Sequence, residues 1–130
     1  MIVDTSVIIA VLKSEDGFEH YVDKILACEG DVFMSAASYL EAAIVTDRDR
    51  NAEKSARLDE ILTAFDIKVV EISPETARTA RQAHRAYGRG SGHAAKLNFG
   101  DCFSYALASD RRLPLLFKGD DFSHTDILCA

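Results

Sequence analysis

Glycine and proline are scarce in this chain, seven and two among 130 residues, which excludes collagen-like and Pro/Gly-rich disordered classes. Cysteine is scarce too. Cys28, Cys102 and Cys129 are odd in number, widely spaced and form no C-x-x-C pair, so neither a disulfide framework nor a zinc knuckle is signalled and all three read as buried thiols. The histidines His20, His84, His93 and His124 make no H-x-x-x-H pair, and each reads as surface or core filler rather than a metal ligand. No apolar run is long enough to span a bilayer. The opening stretch "MIVDTSVIIAVLKSEDG" meets Asp4 early and lacks a basic leader, so it reads as folded structure and points to the cytoplasm. Low-complexity tracts and internal repeats are absent. With 48% hydrophobic and 28% charged residues, the chain has the profile of a soluble globular protein, long enough for one core and too short for two ordinary domains, so residues 1–130 are expected to form a single domain.

Positive charge is also in deficit. The formal net charge of −6 opposes a nucleic-acid partner, because phosphate binding is driven by Lys and Arg. The average conceals a local reversal: no acidic residue lies between Glu75 and Asp101, whereas Arg78, Arg81, Arg85, Arg89 and Lys96 all do.

Met1 to Val3 reads as a short buried strand ending at Asp4, with Ser6 as cap of a helix carrying Val7, Ile8, Val11 and Leu12. Phe18, Tyr21, Val22, Ile25 and Leu26 recur at helical spacing within Gly17 to Glu29, and Gly30 is expected to stop that helix. Asp31 to Ser35 reads as a second strand, followed by an alanine-rich helix, "AASYLEAAIV", containing Glu41. Leu58, Ile61, Leu62 and Phe65 form the stripe of a helix over Asn51 to Phe65, and Ile67 to Ile72 is strand-like. Ser73, Pro74 and Glu75 fit the cap and first turn of a helix that Gly88 ends. A helix opened by Gly100 and Asp101 follows, and "LPLLF" supplies a fourth strand. Strands alternate with helices and no hairpin signal joins two strands, which predicts an α/β architecture with a mostly parallel central sheet flanked by helices.

In "LNFGDCFSYALA" one carboxylate, Asp101, opens a run of apolar and small residues, and a half-buried charge there needs either a helix N-terminus or an ion. Ligands of open parallel sheets bind outside the carboxyl ends of the strands. Asp4 follows the first strand, Asp120 and Asp121 follow the fourth, Asp101 begins the helix before it, and Glu41 lies in the helix after the second. Taken singly, these acids fit helix N-termini, turns or a solvated face. Gathered, they repel one another unless a cation joins them, and the hard ions Mg²⁺ and Mn²⁺ suit oxygen ligands. Such a centre with open positions is equipped for phosphodiester hydrolysis.

The segments "MIVDTSVIIAVL", "SAASYLEAAIV", "GRGSGHAAKLNFGDCFSYALA" and "PLLFKGDDFSHTDI" resemble the successive motifs of PIN-domain proteins, specifically VapC-type toxins of toxin–antitoxin pairs, from Met1 to Ile127. The resemblance implies a three-layer, Rossmann-like PIN fold. It also implies a metal-dependent endoribonuclease acting on RNA, usually a homodimer, neutralised by a VapB-like antitoxin. Carried over by position, Asp4, Glu41 and Asp101 match the family's acids, with Asp4 and Asp101 as direct metal ligands. Thr5, Ser6 and Asn98 flank the pocket and orient a carboxylate or a water. Either aspartate of "GDDF" can serve as the fourth acid; Asp121, in the Asp-Phe pair, is preferred and Asp120 stays open.

On the helix from Pro74 to Tyr87, Arg78, Arg81 and Arg85 form one stripe that reads as a solvated face, and Ala77, Ala80, His84 and Tyr87 form another that suits the core or a dimer mate. Arg89 and Lys96, nearer the acids, are expected to contact RNA. Two rivals remain. An aspartyl-phosphate-type phosphatase would want a second acid two residues after Asp4, where Ser6 stands. A non-catalytic RNA-binding module of the same fold is the other, because fold does not fix function.

Overall fold

The computed structural model describes residues 1–48 and 50–130. Its elements run β1 (Ile2–Val3), α1 (Thr5–Lys13), α2 (Phe18–Leu26), β2 (Val32–Ser35), α3 (Ala36–Asp47), α4 (Ala52–Ala64), β3 (Ile67–Val70), α5 (Pro74–Tyr87), α6 (Phe99–Arg111) and β4 (Leu115–Leu116), then a short 3-10 helix over Asp121–His124. The four strands form one sheet in the order β3-β2-β1-β4, and every pairing is parallel. The order places β1 centrally and puts the reversal of winding between β1 and β4, where open parallel sheets present a crevice.

The two-residue period of a strand sends neighbours to opposite faces. Val3, Met34 and Leu116 enter one cluster with Val7, Ile8, Leu58 and Leu62 of α1 and α4. Ile2 and Leu115 enter the other with Ala80, Ala83, Tyr105 and Ala106 of α5 and α6. The result is a helix–sheet–helix sandwich. The C-terminal tail covers the β4 edge, with Leu115 donating its N–H to the Leu128 carbonyl at 2.8 Å. None of the described helices is long and apolar enough to cross a membrane.

Several sequence expectations change at element ends. α1 is capped by Asp4, not Ser6, because a buried carboxylate at the strand end reaches the first-turn amide itself. α2 ends at Leu26 with Ala27 as its cap, three residues short of Gly30. α6 starts at Phe99 with Asn98 as cap, one turn-forming residue before the glycine expected to open it. Of the three cysteines only Cys102 is buried; Cys28 is intermediate and Cys129 exposed.

Candidate active site

Asp4 is fixed from three sides. Its backbone N–H donates to the Leu116 carbonyl at 2.9 Å, joining the end of β1 to the end of β4. The residue is 4% exposed. Oδ2 accepts the Ser6 N–H at 2.9 Å and the Ser6 hydroxyl at 2.6 Å, and Oδ1 accepts the Ser104 hydroxyl at 2.6 Å. Ser6 Oγ in turn accepts the Lys118 N–H at 2.9 Å, which bridges the crevice between β1 and β4.

Glu41 enters from α3. Its Oε2 accepts the Thr5 hydroxyl at 2.9 Å, so the residue after Asp4 holds the second carboxylate. Gly100, in the first turn of α6, makes room for it: a Cβ there would lie 2.5 Å from Glu41 Oε2. This glycine is needed for close approach rather than for an unusual backbone.

Asp101 and Asn98 form a reciprocal cap at the start of α6. Asp101 Oδ2 accepts the Asn98 N–H at 2.7 Å, and the Asp101 N–H donates to Asn98 Oδ1 at 3.0 Å, which satisfies two orphan donors of the helix. Burial and then the charges of Asp4, Asp121 and Glu41 push the Asp101 carboxyl up to about 6, against the opposing hydrogen bond from Asn98. Asp4, Glu41 and Asp121 are therefore each within electrostatic reach of Asp101. Asp121 begins the 3-10 helix after β4, and Asp120 precedes it without a side-chain capping bond; both are exposed.

None of these four carboxylates has a salt-bridge partner among the described residues. No group of three or more His, Cys, Asp or Glu side chains among the described residues is arranged to hold a metal ion. An all-oxygen, uncompensated anionic crevice fits a hard divalent ion that takes a pair of carboxylates and retains waters, as Mg²⁺ does.

A raised Asp101 has a consequence for stability without metal. The folded chain holds this proton up to about pH 6, whereas the ordinary value is 3.8, so the stabilisation is full below pH ~4 and is lost as pH rises through ~6. For a carboxyl partly open to solvent the loss should be on the order of 1–2 kcal/mol after screening. Melting temperatures of the wild type and of Asp101→Asn, followed from pH 4.5 to 7.5 in EDTA, should diverge with rising pH in favour of the variant. Parallel curves would show that burial and the neighbouring charges do not raise this carboxyl.

Sequence reasoning missed the serines beneath the acids. Ser35, Ser38 and Ser104 are 2%, 0% and 0% exposed, and Ser104 touches Asp4 directly. The signal was spacing: Ser38 and Ser104 lie three residues before Glu41 and after Asp101 on the same helices, hence on the same faces. The basic loop is also assembled by the fold. Gly88 and Leu97 form a parallel bridge, and Arg89 Nε approaches the Lys96 carbonyl at 3.3 Å, so two exposed cations stand together just before Asn98. Arg78 is engaged with Glu75 on its own helix at 2.8 Å.

The PIN domain family model matches residues 1–128. The chain belongs to the PIN-domain family. Ribonuclease VapC28 of Mycobacterium tuberculosis is 52% identical to it over 128 residues, covering 98% of this chain and 95% of that protein. Ribonuclease VapC42 of the same species is 46% identical over 127 residues, with 98% and 96% covered. Among solved structures, Mycobacterium tuberculosis VapC20, described as a Sarcin-Ricin loop cleaving toxin, aligns with a TM-score of 0.76 at 17% identity over 99% of this chain and 97% of that one. VapBC2 from Rickettsia felis, bound to a DNA fragment from its promoter, aligns at 0.75 with 12% identity, covering 98% and 94%. This PIN domain thus shares the fold of toxins solved in toxin–antitoxin assemblies, and its sequence places it beside the VapC ribonucleases.

Proposed function

We propose that the chain is an Mg²⁺- or Mn²⁺-dependent endoribonuclease, the cytoplasmic toxin of a VapBC-like pair, acting as one PIN domain over residues 1–130. The observation that carries this reading is the uncompensated carboxylate crevice at the β1–β4 switch point, in a chain 52% identical to a protein named a VapC ribonuclease. Purified protein should cleave RNA with Mn²⁺ and not in EDTA; equal cleavage in both would sink the proposal.

In this reading Asp4 and Asp101 hold the cation. Bound there, such an ion activates water and offsets charge on the scissile phosphate. Glu41, steadied by Thr5, and Asp121, favoured over Asp120, complete the anionic wall. Ser6 orients Asp4, and Asn98 orients Asp101 through its N–H. Asp101 gives up its proton before ligation, so metal affinity rises with pH through about 6.

Arg89 and Lys96 supply the local cations that a −6 chain needs to bring a phosphate to an acidic pocket. Replacing both by alanine should weaken RNA binding and lower the slope of log K against log salt by roughly 1.5, from about 0.7 per single-strand phosphate. A titration over KCl, with Ca²⁺ suppressing cleavage, reads this; an unchanged slope would assign the pair to antitoxin binding instead.

The partner proposed is a VapB-like antitoxin, supported by the fold shared with a toxin–antitoxin complex from Klebsiella pneumoniae and with VapBC2 of Rickettsia felis. A homodimer is proposed through the apolar surface between α5 and α6. There Ala77 and His84 are exposed and Phe99 is 79% exposed, while Ala80 and Tyr87 of the same stripe turn to the core. Light scattering at micromolar concentration should give the dimer mass; a monomer mass would count against it.

A further inference from the structure

We propose that Ser104, oriented by Ser38 and Ser35, is a positioning residue that holds Asp4 Oδ1 ready for the cation; the proposal rests on the reading of the crevice as a metal site. Ser104 Oγ lies 2.6 Å from Asp4 Oδ1, Ser38 Oγ 3.0 Å from Ser104 Oγ, and Ser35 Oγ 2.8 Å from Ser38 Oγ. The chain crosses from β2 through α3 and α6 to the end of β1, and all three serines are almost wholly buried.

Proton counting fixes its direction. Each hydroxyl has one proton, and an ionised carboxylate has none to give. Ser104 therefore donates to Asp4, Ser38 donates to Ser104, and Ser35 donates to Ser38. Ser35 Oγ also accepts the Ser38 N–H at 3.0 Å. Three hydroxyl dipoles point the same way, toward one carboxylate oxygen, and such chains polarise cooperatively in a dry interior.

Lone-pair counting shows which oxygen is served. Oδ2 already accepts two bonds, both from Ser6, whereas Oδ1 accepts only Ser104. The oxygen with a lone pair still free is the one Ser104 grips. Ser104 thus sets the orientation of the ligating atom, as the outer partners of metal ligands do.

The test is Mn²⁺ binding to purified protein without RNA, by isothermal titration calorimetry at pH 7.5, for the wild type, Ser104→Ala and Ser104→Cys, with folding checked by circular dichroism. Ser104→Ala should weaken Mn²⁺ binding by about 10–100-fold, the usual effect of removing an outer partner. Ser104→Cys, close in size but a weaker donor, should fall between the two and decides the matter if the alanine variant does not fold. Wild-type affinity in a folded Ser104→Ala, or in Ser104→Cys should only that variant fold, overturns the inference. Failure of the wild type itself to bind Mn²⁺ overturns instead the metal-site reading beneath it.

Discussion

Asp101→Asn should lose RNA cleavage by a factor on the order of 10²–10⁴ while melting no lower than the wild type. On the proposed metal site the exchange removes an ionic ligand, and Lewis-acid assistance is worth several kcal/mol of barrier, with tenfold in rate for each ~1.4 kcal/mol. The fold should survive because the asparagine carbonyl can still accept the Asn98 N–H that Asp101 Oδ2 accepts at 2.7 Å. In EDTA near neutral pH the variant should be more stable, since a neutral amide escapes the burial cost of a carboxylate and then the repulsion of Asp4, Asp121 and Glu41, which together hold this carboxyl at about 6. Asp4→Asn should abolish cleavage equally but differ in stability. Three donors converge on that carboxylate, so its amide NH₂ either opposes the Ser6 N–H or forces the serine hydroxyl chain to reverse, costing about 1–3 kcal/mol. Cleavage rates at saturating Mn²⁺ and melting curves in EDTA separate the two behaviours; full activity in Asp101→Asn would remove this residue from the site.

Gly100→Ala should separate stability from activity in the opposite sense. Alanine is favoured over glycine in a helix by about 0.5–1 kcal/mol. Against this, a Cβ 2.5 Å from Glu41 Oε2 forces the carboxylate away and breaks its bond from Thr5, a loss of about 1 kcal/mol. The two nearly cancel, because the displaced atom ends a flexible side chain. Catalysis has no such compensation: a displacement of about 1 Å in a catalytic group can cost on the order of 10²-fold. Melting temperature within a few degrees of wild type, with cleavage reduced at least tenfold, is the expected pair of results. Wild-type cleavage would show that Glu41 need not sit where Thr5 holds it.

The alternation of strands and helices made the parallel sheet legible, since no strand has a hairpin partner and β1 and β4 are apolar and buried on both faces. The two faces of that sheet follow from Ile2 and Val3 parting into opposite clusters. The acids were legible as charges at strand and helix ends. Their mutual reach was not, because Asp4 and Asp101 are joined by the packing of α6 under β1 rather than by local spacing. Cap identities were misread where two candidates stood close together. At Asp4 and Ser6, both able to cap, burial of the carboxylate against Ser104 decides. The serines stayed hidden for a simpler reason: a small hydroxyl within "SAASYLE" or "DCFSYALA" has the same pattern whether it fills space or serves a ligand.

Asp4 and Asp101 are proposed to share a divalent cation. Anomalous diffraction from crystals grown with millimolar Mn²⁺ tests it most directly, since the signal locates the metal without reference to activity. The predicted result is a single strong peak in contact with Asp4 Oδ1 and an Asp101 carboxylate oxygen, absent from crystals of Asp101→Asn. A peak elsewhere, or ordered carboxylates with no peak between them, would contradict it.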